Sequence, residues 1–353
     1  MNLTVVGWDV GGAHLKAALL VNGVVQQVEQ TVCPLWKGVE YLDQAVQRIL
    51  DKLPQHNALH AVTMTGELVD CFKSRQEGVD AIIRSLQQSL PSHTLMIYAG
   101  NRGFLSPADI MADDYVRIAS ANWLASASVA AHFYQDGLFV DIGSTTTDIL
   151  VIHQHQVDAH GYTDYQRLVS GELLYTGVVR TPVMAISQSA VFKGQTMGLM
   201  AEHFATMADV YRLTQELNPE HDQSDTADGG DKTEAASALR LSRLTGYEFS
   251  EQDWPFWLEF ADYIKTQQIK MIEQACLRQL QRINLKAGQP LLAAGVGRFL
   301  LQRIANRLDL QFVDFAELIK STADDAVDAG DCAPAVAVAF LASGLSKLQA
   351  SQW

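Results

Sequence analysis

One short corner occurs twice in this chain. Asp9-Val10-Gly11-Gly12 follows the strand-like run at residues 3–8, and Asp141-Ile142-Gly143-Ser144 ends another such run that starts at Leu138. Each corner leads into a returning strand, near Lys16–Val21 in the first case and Ile149–Gln154 in the second. A repeated strand–turn–strand with an Asp at its bend is an internal duplication, and it confines the chain to two similar halves. The boundary is expected at 135/136. Residues 1–135 then form a first domain, 136–330 a second, and 331–353 a C-terminal helix.

The remaining pattern is α/β. Strands are expected at 24–31, 60–64, 94–97, 157–162 and 290–294, and Asn22-Gly23 reads as a hairpin turn. Residues 38–53 carry Val39, Leu42, Val46, Ile49, Leu50 and Leu53 at helical spacing. Further helices are expected at 114–134, 235–244, 255–284, after Gly297, and at 333–349. The stripe of Trp254, Trp257 and Phe260 reads as core packing. Residues 218–234 are polar and acidic and read as an exposed, mobile loop.

Length supports two cores, since 353 residues exceed what one small core organises. A formal charge of −14 argues against nucleic acid as a partner, because a phosphate backbone needs clustered Lys and Arg. It leaves room for a phosphorylated small molecule whose charge a metal ion offsets. The four cysteines are far apart and read as reduced, incidental thiols. The first residues lack a basic leader, and no apolar run reaches about 18 residues, so a cytoplasmic protein without a membrane span is expected.

The corners carry the chemistry. Gly11 and Gly12 let the backbone turn tightly, and the successive amides through Ala13 and His14 make an anion nest. An Asp closing a buried strand needs a partner, and Mg²⁺ is a natural one. A plain hairpin turn with an Asx hydrogen bond explains one copy equally well. The second copy adds Ser144, Thr145, Thr146 and Thr147, whose hydroxyls suit phosphate oxygens, and two such corners favour phosphate binding. A third element, Gly295-Val296-Gly297-Arg298, ends a strand before a helix. It admits either a ring against the backbone or close strand–helix packing.

Two phosphate corners and a late Gly-x-Gly resemble the actin/Hsp70/sugar-kinase fold over nearly the whole chain, a two-domain actin-like (ribonuclease H-like) α/β fold. Asp141–Asp148, reading DIGSTTTD, is similar to the second phosphate turn of the hydantoinase A/oxoprolinase-related group. Met64–Leu68, Ala119–Trp123, Gly171–Gly177 with the following Val178–Pro182, and Glu202–Tyr211 resemble the branch linked to tetrahydromethanopterin-dependent one-carbon transfer. Archaeal members of that branch are methanofuran synthases, which join a furan-methyl diphosphate to the phenol of a γ-glutamyl-tyramine and release diphosphate.

The resemblance implies a transferase with small-molecule diphosphate and phenol substrates, the phenol being of tyramine or tyrosine type. It implies a phosphate chain and Mg²⁺ gripped by the two corners, with Asp9, Asp141 and Asp148 at the metal. Asp9, Asp141 and Glu67 form the catalytic set. Gly11, Gly12, Ala13, His14, Gly143 and the hydroxyls at 144–147 hold phosphate. Asn122, Gly295, Gly297 and Arg298 line a nucleotide or substrate cleft. ATP is not required in this reading, and a homodimer is left open. The alternatives are an ATP-dependent kinase, a hydantoinase- or oxoprolinase-like amidohydrolase, and, last, a nucleotide-switched assembly protein. The full hydantoinase A subunit is considerably longer than this chain.

Several residues keep two readings. His14 meets the anion or caps its strand. Lys16 is a functional cation or a solvent-facing strand residue. Glu67 is an active group at a strand end or a Glu favoured by a helix N-terminus. Asn122 lines the cleft or is a buried amide with local partners. His203 and Asp209, six apart on an expected helix, are separated on its wheel.

Overall fold

The computed structural model describes residues 3–53, 58–90, 94–283, 285, 287–323 and 327–350. In chain order the elements begin with β1 (Thr4–Val10), β2 (His14–Val21), β3 (Val24–Val32), α1 (Glu40–Leu50), β4 (Leu59–Met64), α2 (Arg75–Ser89), β5 (Thr94–Tyr98), β6 (Phe104–Leu105), α3 (Tyr115–Ile118) and α4 (Asn122–Phe133). The second corner brings β7 (Gly137–Ile142), β8 (Thr147–His153), β9 (Gln156–Asp158), α5 (Asp164–Ser170) and β10 (Leu173–Leu174). There follow β11 (Ser189–Phe192), β12 (Gln195–Gly198), α6 (Met207–Leu213), α7 (Glu234–Thr245), α8 (Trp254–Leu280), β13 (Pro290–Ala294), α9 (Leu301–Arg307), β14 (Gln311–Asp314) and α10 (Ala333–Ala350).

One six-stranded sheet has the order β3-β2-β1-β4-β5-β6. Its centre, β1, runs antiparallel to β2 and parallel to β4, which is in turn parallel to β5. Val5, Val6, Trp8 and Val10 of β1 have no exposed surface, as expected of a strand covered on both faces. The β2–β3 hairpin turns at Asn22 and Gly23, both at positive φ (53° and 79°), the backbone that two-residue hairpins demand. The other six-stranded sheet has the order β10-β8-β7-β13-β14, with β9 paired to β8. So each corner joins two neighbouring strands of a sheet.

By contacts the chain forms two units, 1–139 with 150–170 and 313–353, and 140–149 with 171–312. The expected boundaries place the segments 150–170 and 313–330 in the second half and set the last helix apart. In the structure α10 belongs to the first unit and packs on β1. The reason is Gly7: a β-carbon there would fall on the carbonyl oxygen of Ala335, so the glycine lets helix and strand meet.

Two expected elements differ. The helix at 114–134 is broken into α3 and α4 at residues 119–121, where Ser120 adopts φ 51°, a left-handed backbone that costs a residue with a β-carbon about 1 kcal/mol or more. The segment 218–234 is anchored rather than free. Its Asp222 is buried and pairs with Arg212 and Lys232, and Asp228 pairs with Arg240 and Arg243. Composition showed its acids, while the cations that fix them lie on α6 and α7 or at the segment's own end. Trp257 and Phe260 are fully buried in the second unit, with Trp257 stacked on Phe192 at 4.5 Å, as core packing requires.

Candidate functional site

In the first unit the corner is closed by the Gly11 amide donating to the His14 carbonyl at 3.0 Å. Leu35 N–H donates to the Gly12 carbonyl at 3.0 Å, and the amides of Thr65 and Gly66 both donate to Val10 at 2.9 Å. The end of β4 therefore supports the corner from below. Gly66 is required there, since a β-carbon would meet the side chain of Leu35 and crowd the backbone of Gly11. Asp9 ends this buried strand with 7% exposure, and Ala13 and His14 are both 9% exposed. Lys16 sits opposite Asp9 in the β1–β2 register and donates its ammonium to the carbonyl of Asp331 at 2.6 Å. It is not merely a solvent-facing residue.

Glu67 follows directly and is wholly buried. One carboxylate oxygen accepts from the Ser120 hydroxyl at 2.7 Å; the other has no hydrogen-bond partner among the described residues. Burial is the main cause that raises the proton affinity of this carboxyl, with the Ser120 hydrogen bond acting against it. The Ser120 hydroxyl also lies 3.3 Å from Asp164, which pairs with Arg75 at 2.8 Å. The left-handed Ser120 backbone is what aims this hydroxyl, so the break between α3 and α4 serves the Glu67 environment. Asn122, two residues on and the first residue of α4, accepts the amide of Trp123 on its side-chain oxygen at 2.7 Å, a local partner for its amide group.

In the second unit the Gly143 amide donates to the Thr146 carbonyl at 2.8 Å and closes the corner. Residues 143–146 are partly exposed, whereas Asp141 is 8% exposed at the end of β7. Thr147 differs from its neighbours. It has no exposed surface and donates its hydroxyl to the Thr176 carbonyl at 2.6 Å, so it braces the corner instead of facing an anion. Asp148 is the second residue of β8 and pairs with Leu173 of β10.

The segment 176–181 wraps this corner. Val178 N–H donates to the Gly143 carbonyl at 3.1 Å, and the amides of Val179 and Arg180 converge on the Ser144 carbonyl at 3.1 and 2.8 Å. Gly177 donates its amide to the Thr181 hydroxyl at 2.8 Å. Beneath it lies Gln268 of α8, fully buried, whose amide nitrogen donates to the Thr176 hydroxyl (2.8 Å) and the Gly177 carbonyl (2.9 Å). Its oxygen accepts from the phenol of Tyr211. Gln268 and Tyr211 thus tie α6 and α8 to the segment holding the corner. Sequence reading missed Gln268: it is one polar residue in a long helix, with no signal of its own. Thr176, Gly177 and Tyr211 lay within family-like segments but were not singled out.

The Gly295-x-Gly297 element packs against the same corner. Gly295 has φ 82°, and a β-carbon on it would fall on the Asp141 carboxylate; Gly297 N–H donates to the Ile142 carbonyl at 2.8 Å. Of the two readings, close backbone packing is the one this geometry displays. Arg298 begins the turn into α9 and reaches back to the Gly295 carbonyl at 3.3 Å.

The donor set around the corners is oxygen: strand-end carboxylates, hydroxyls and backbone carbonyls. That set suits a hard cation such as Mg²⁺, which takes one or two carboxylates and completes its shell with phosphate oxygens and water. Among the described residues, no three of His, Cys, Asp and Glu gather into a metal cluster.

His203 and Asp209 are not on one helix. α6 starts at Met207, and His203 lies in the loop before it. Both line a cavity of about 150 Å³ in the second unit, together with Arg180, Arg212, Asp222 and Asp225. Among the described residues no helix is long and apolar enough to cross a membrane.

Comparison with known proteins gives the chain's relatives. Residues 58–327 match the hydantoinase/oxoprolinase family model. A protein of Methanocaldococcus jannaschii named (4-{4-[2-(gamma-L-glutamylamino)ethyl]phenoxymethyl}furan-2-yl)methanamine synthase is 28% identical over 303 residues, covering 86% of this chain and 88% of the relative. A Methanococcus vannielii protein of the same name is 26% identical over 181 residues, 51% of this chain and 79% of the relative. Component A of (R)-2-hydroxyglutaryl-CoA dehydratase from Acidaminococcus fermentans is similar in structure at a TM-score of 0.46, with 9% identity over 98% of this chain and 99% of that one. The fold class is α/β, as the alternation of strands and helices implies. With more than half of its length matched by the family model, the chain belongs to the hydantoinase/oxoprolinase family.

Proposed function

We propose that this protein is a transferase that joins a furan-methyl diphosphate to a tyramine- or tyrosine-type phenol, releasing diphosphate, without ATP. The observation that carries this reading is the resemblance, over most of both chains, to a relative whose name describes a phenoxymethyl-furan product. It is supported by the way the segments 171–182 and 202–211 are built into the second corner, through Gly177, Thr176, Tyr211 and Gln268.

The bond formed runs from the furan-methyl carbon to the phenol oxygen, and the bond broken runs from that carbon to a diphosphate oxygen. Diphosphate leaves with the electron pair, and the phenol proton passes to a carboxylate or imidazole base. The amides and hydroxyls of the second corner, at Gly143–Thr146, would hold the leaving group as its charge grows, and the Gly11–His14 corner offers amides of the same kind in its own unit. Asp141, and in its own unit Asp9, are the carboxylates that would hold Mg²⁺, which when bound neutralises diphosphate charge. Glu67 has no exposed surface, so we assign it a positioning role through the Gly66–Gly11 packing rather than contact with substrate.

Purified protein, Mg²⁺ and both organic substrates without nucleotide should give the ether, read by mass spectrometry, with equimolar diphosphate. Family membership favours one second reading, an ATP-dependent kinase or amidohydrolase. Product that forms only after ATP is added would establish that class instead.

A further inference from the structure

The loop that carries His203 is tied to the second corner by two layers of backbone hydrogen bonds. Val179 and Arg180 donate their amides to the Ser144 carbonyl of the corner. The residues just after His203 are fastened to that same segment. Ala208 N–H donates to the Val179 carbonyl at 3.1 Å, Met207 N–H to Thr181 at 2.8 Å, and Val183 N–H to Ala205 at 3.0 Å. The cavity of about 150 Å³ that His203 lines therefore shares its wall with the corner. A cavity of about this size admits a benzene ring.

The condensation needs a base, and a base needs a lone pair that no neighbour is using. Asp209 is fully engaged. It accepts from the Arg240 guanidinium, the Ser237 hydroxyl and the Thr206 amide. Asp222 is buried and paired with Arg212 and Lys232. The arginines on the wall donate and do not accept. His203 and Asp225 remain, and both are exposed. Among the described residues neither side chain makes a hydrogen bond or ion pair. Chemistry decides between the two types of group. A phenol ordinarily loses its proton near pH 10 and a carboxylate regains one only near about 4, while an imidazole lies between them. The smaller mismatch makes an imidazole the better partner for proton transfer at neutral pH.

We infer that this cavity seats the phenol ring of the acceptor and that His203 is the base that takes its proton. The inference rests on the proposed condensation for the acceptor's identity, and it deepens that reading by naming the group the reaction requires. The hydroxyl proton passes to a ring nitrogen of His203 as the phenol oxygen bonds to the furan-methyl carbon. Diphosphate leaves with the electron pair of its bond to that carbon. The imidazolium so formed is exposed and returns the proton to solvent.

Binding to the intact chain tests this apart from turnover. The probe is γ-glutamyl-3-nitrotyramine, whose nitro group acidifies the phenol and colours its phenolate. With Mg²⁺ and diphosphate present, at the pH where the free probe is half ionised, binding to wild type should raise the phenolate fraction. The rise should vanish in His203→Gln, a change at an exposed side chain that does not threaten folding. In turnover, the same variant should lose about a hundredfold or more with the tyramine acceptor. It should lose about tenfold or less with the nitro acceptor, whose proton needs little help to leave. Diphosphate·Mg²⁺ should bind the variant as it binds wild type. An unchanged phenolate fraction, no binding of the probe, or a phenolate lost in Asp225→Asn but kept in His203→Gln would overturn the inference. Ether formed by His203→Gln at the wild-type rate would also overturn it and leave the condensation standing. A His203-dependent phenolate with no ether from wild type in the nucleotide-free assay would leave the inference standing and sink the proposed reaction.

Discussion

Gly177 lies so close to the second corner that a β-carbon on it would sit 2.5 Å from the carbonyl oxygen of Gly143. The same carbon would press on the Thr145 amide, one of the N–H groups assigned to phosphate. Real β-carbons do not approach a backbone oxygen so closely, and both atoms belong to backbone that cannot swing aside. The corner and the strap over it therefore share one tightly packed backbone layer, and glycine at 177 is a packing requirement.

Gly177→Ala should cost activity before it costs the fold. Overpacking of this kind typically destabilises by about 1–3 kcal/mol, and here the displaced atoms are the Gly143 carbonyl and the Thr145 amide. Loss of diphosphate binding by about tenfold or more, with the secondary structure retained by circular dichroism, is the expected outcome. A variant that binds diphosphate·Mg²⁺ as wild type does would show that the corner's amides take no part.

Asp141→Ala should abolish turnover while leaving the fold in place. The carboxylate closes a buried strand at 8% exposure, and its removal vacates space beside Gly295 without creating buried charge. The activity loss should be on the order of a hundredfold or more, as for other groups that stabilise a leaving charge. Titrating Mg²⁺ against activity and melting temperature separates the two effects. Full activity in the variant would mean that Asp141 holds no metal.

Much of this was legible in the sequence because it is local. Strand alternation, the Asn22-Gly23 turn and the two Asp-Gly corners depend on neighbours a few residues apart. What was not legible depends on distant partners. Nothing around Gln268 announces that its amide meets Thr176 and Gly177, more than ninety residues earlier. The acids at 222 and 228 looked like a solvated loop until their arginines at 212, 240 and 243 were placed beside them. The sequence places His203 on one helix with Asp209, yet Thr206 caps the start of that helix, with the Asp209 carboxylate accepting its amide at 3.0 Å. The glycine pair at 295 and 297 was ambiguous because one backbone serves either a ligand or a neighbouring strand.

Gln268→Leu tests the buried hub. The change leaves the Thr176 hydroxyl, the Gly177 carbonyl and the Tyr211 phenol without the partner each now has. An unsatisfied buried polar group costs about 1–3 kcal/mol, so a total loss of about 3 kcal/mol or more is expected. Chemical denaturation reads it directly. Gln268→Glu should fare no better, because it replaces the donor to the Gly177 carbonyl with a second acceptor. A leucine variant as stable as wild type would show that these groups find other partners or water.

Glu67→Gln should make the protein more stable above the acid range, and the sign follows from proton binding. Burial raises the Glu67 carboxyl above its ordinary value of 4.5 in the folded chain. Between that value and the raised native one, the folded state holds a proton that the unfolded state has released. Stability therefore falls as pH rises through the window and stays reduced beyond it; below the unfolded value the effect vanishes. Glutamine keeps an oxygen for the Ser120 hydroxyl and does not titrate. Melting temperatures of the two proteins, measured from about pH 4 to 8, should coincide at the acid end and diverge upward in favour of the variant. Parallel curves over the whole range would mean that Glu67 is ionised in the folded protein and is stabilised by a charge partner, and its positioning role would then need a different physical basis. Diphosphate binding by the variant is the second readout. If Glu67 acts only by holding Gly66 under the first corner, the isosteric amide should bind diphosphate·Mg²⁺ as well as wild type does, whereas Glu67→Ala, which empties the site beside Ser120, should weaken it.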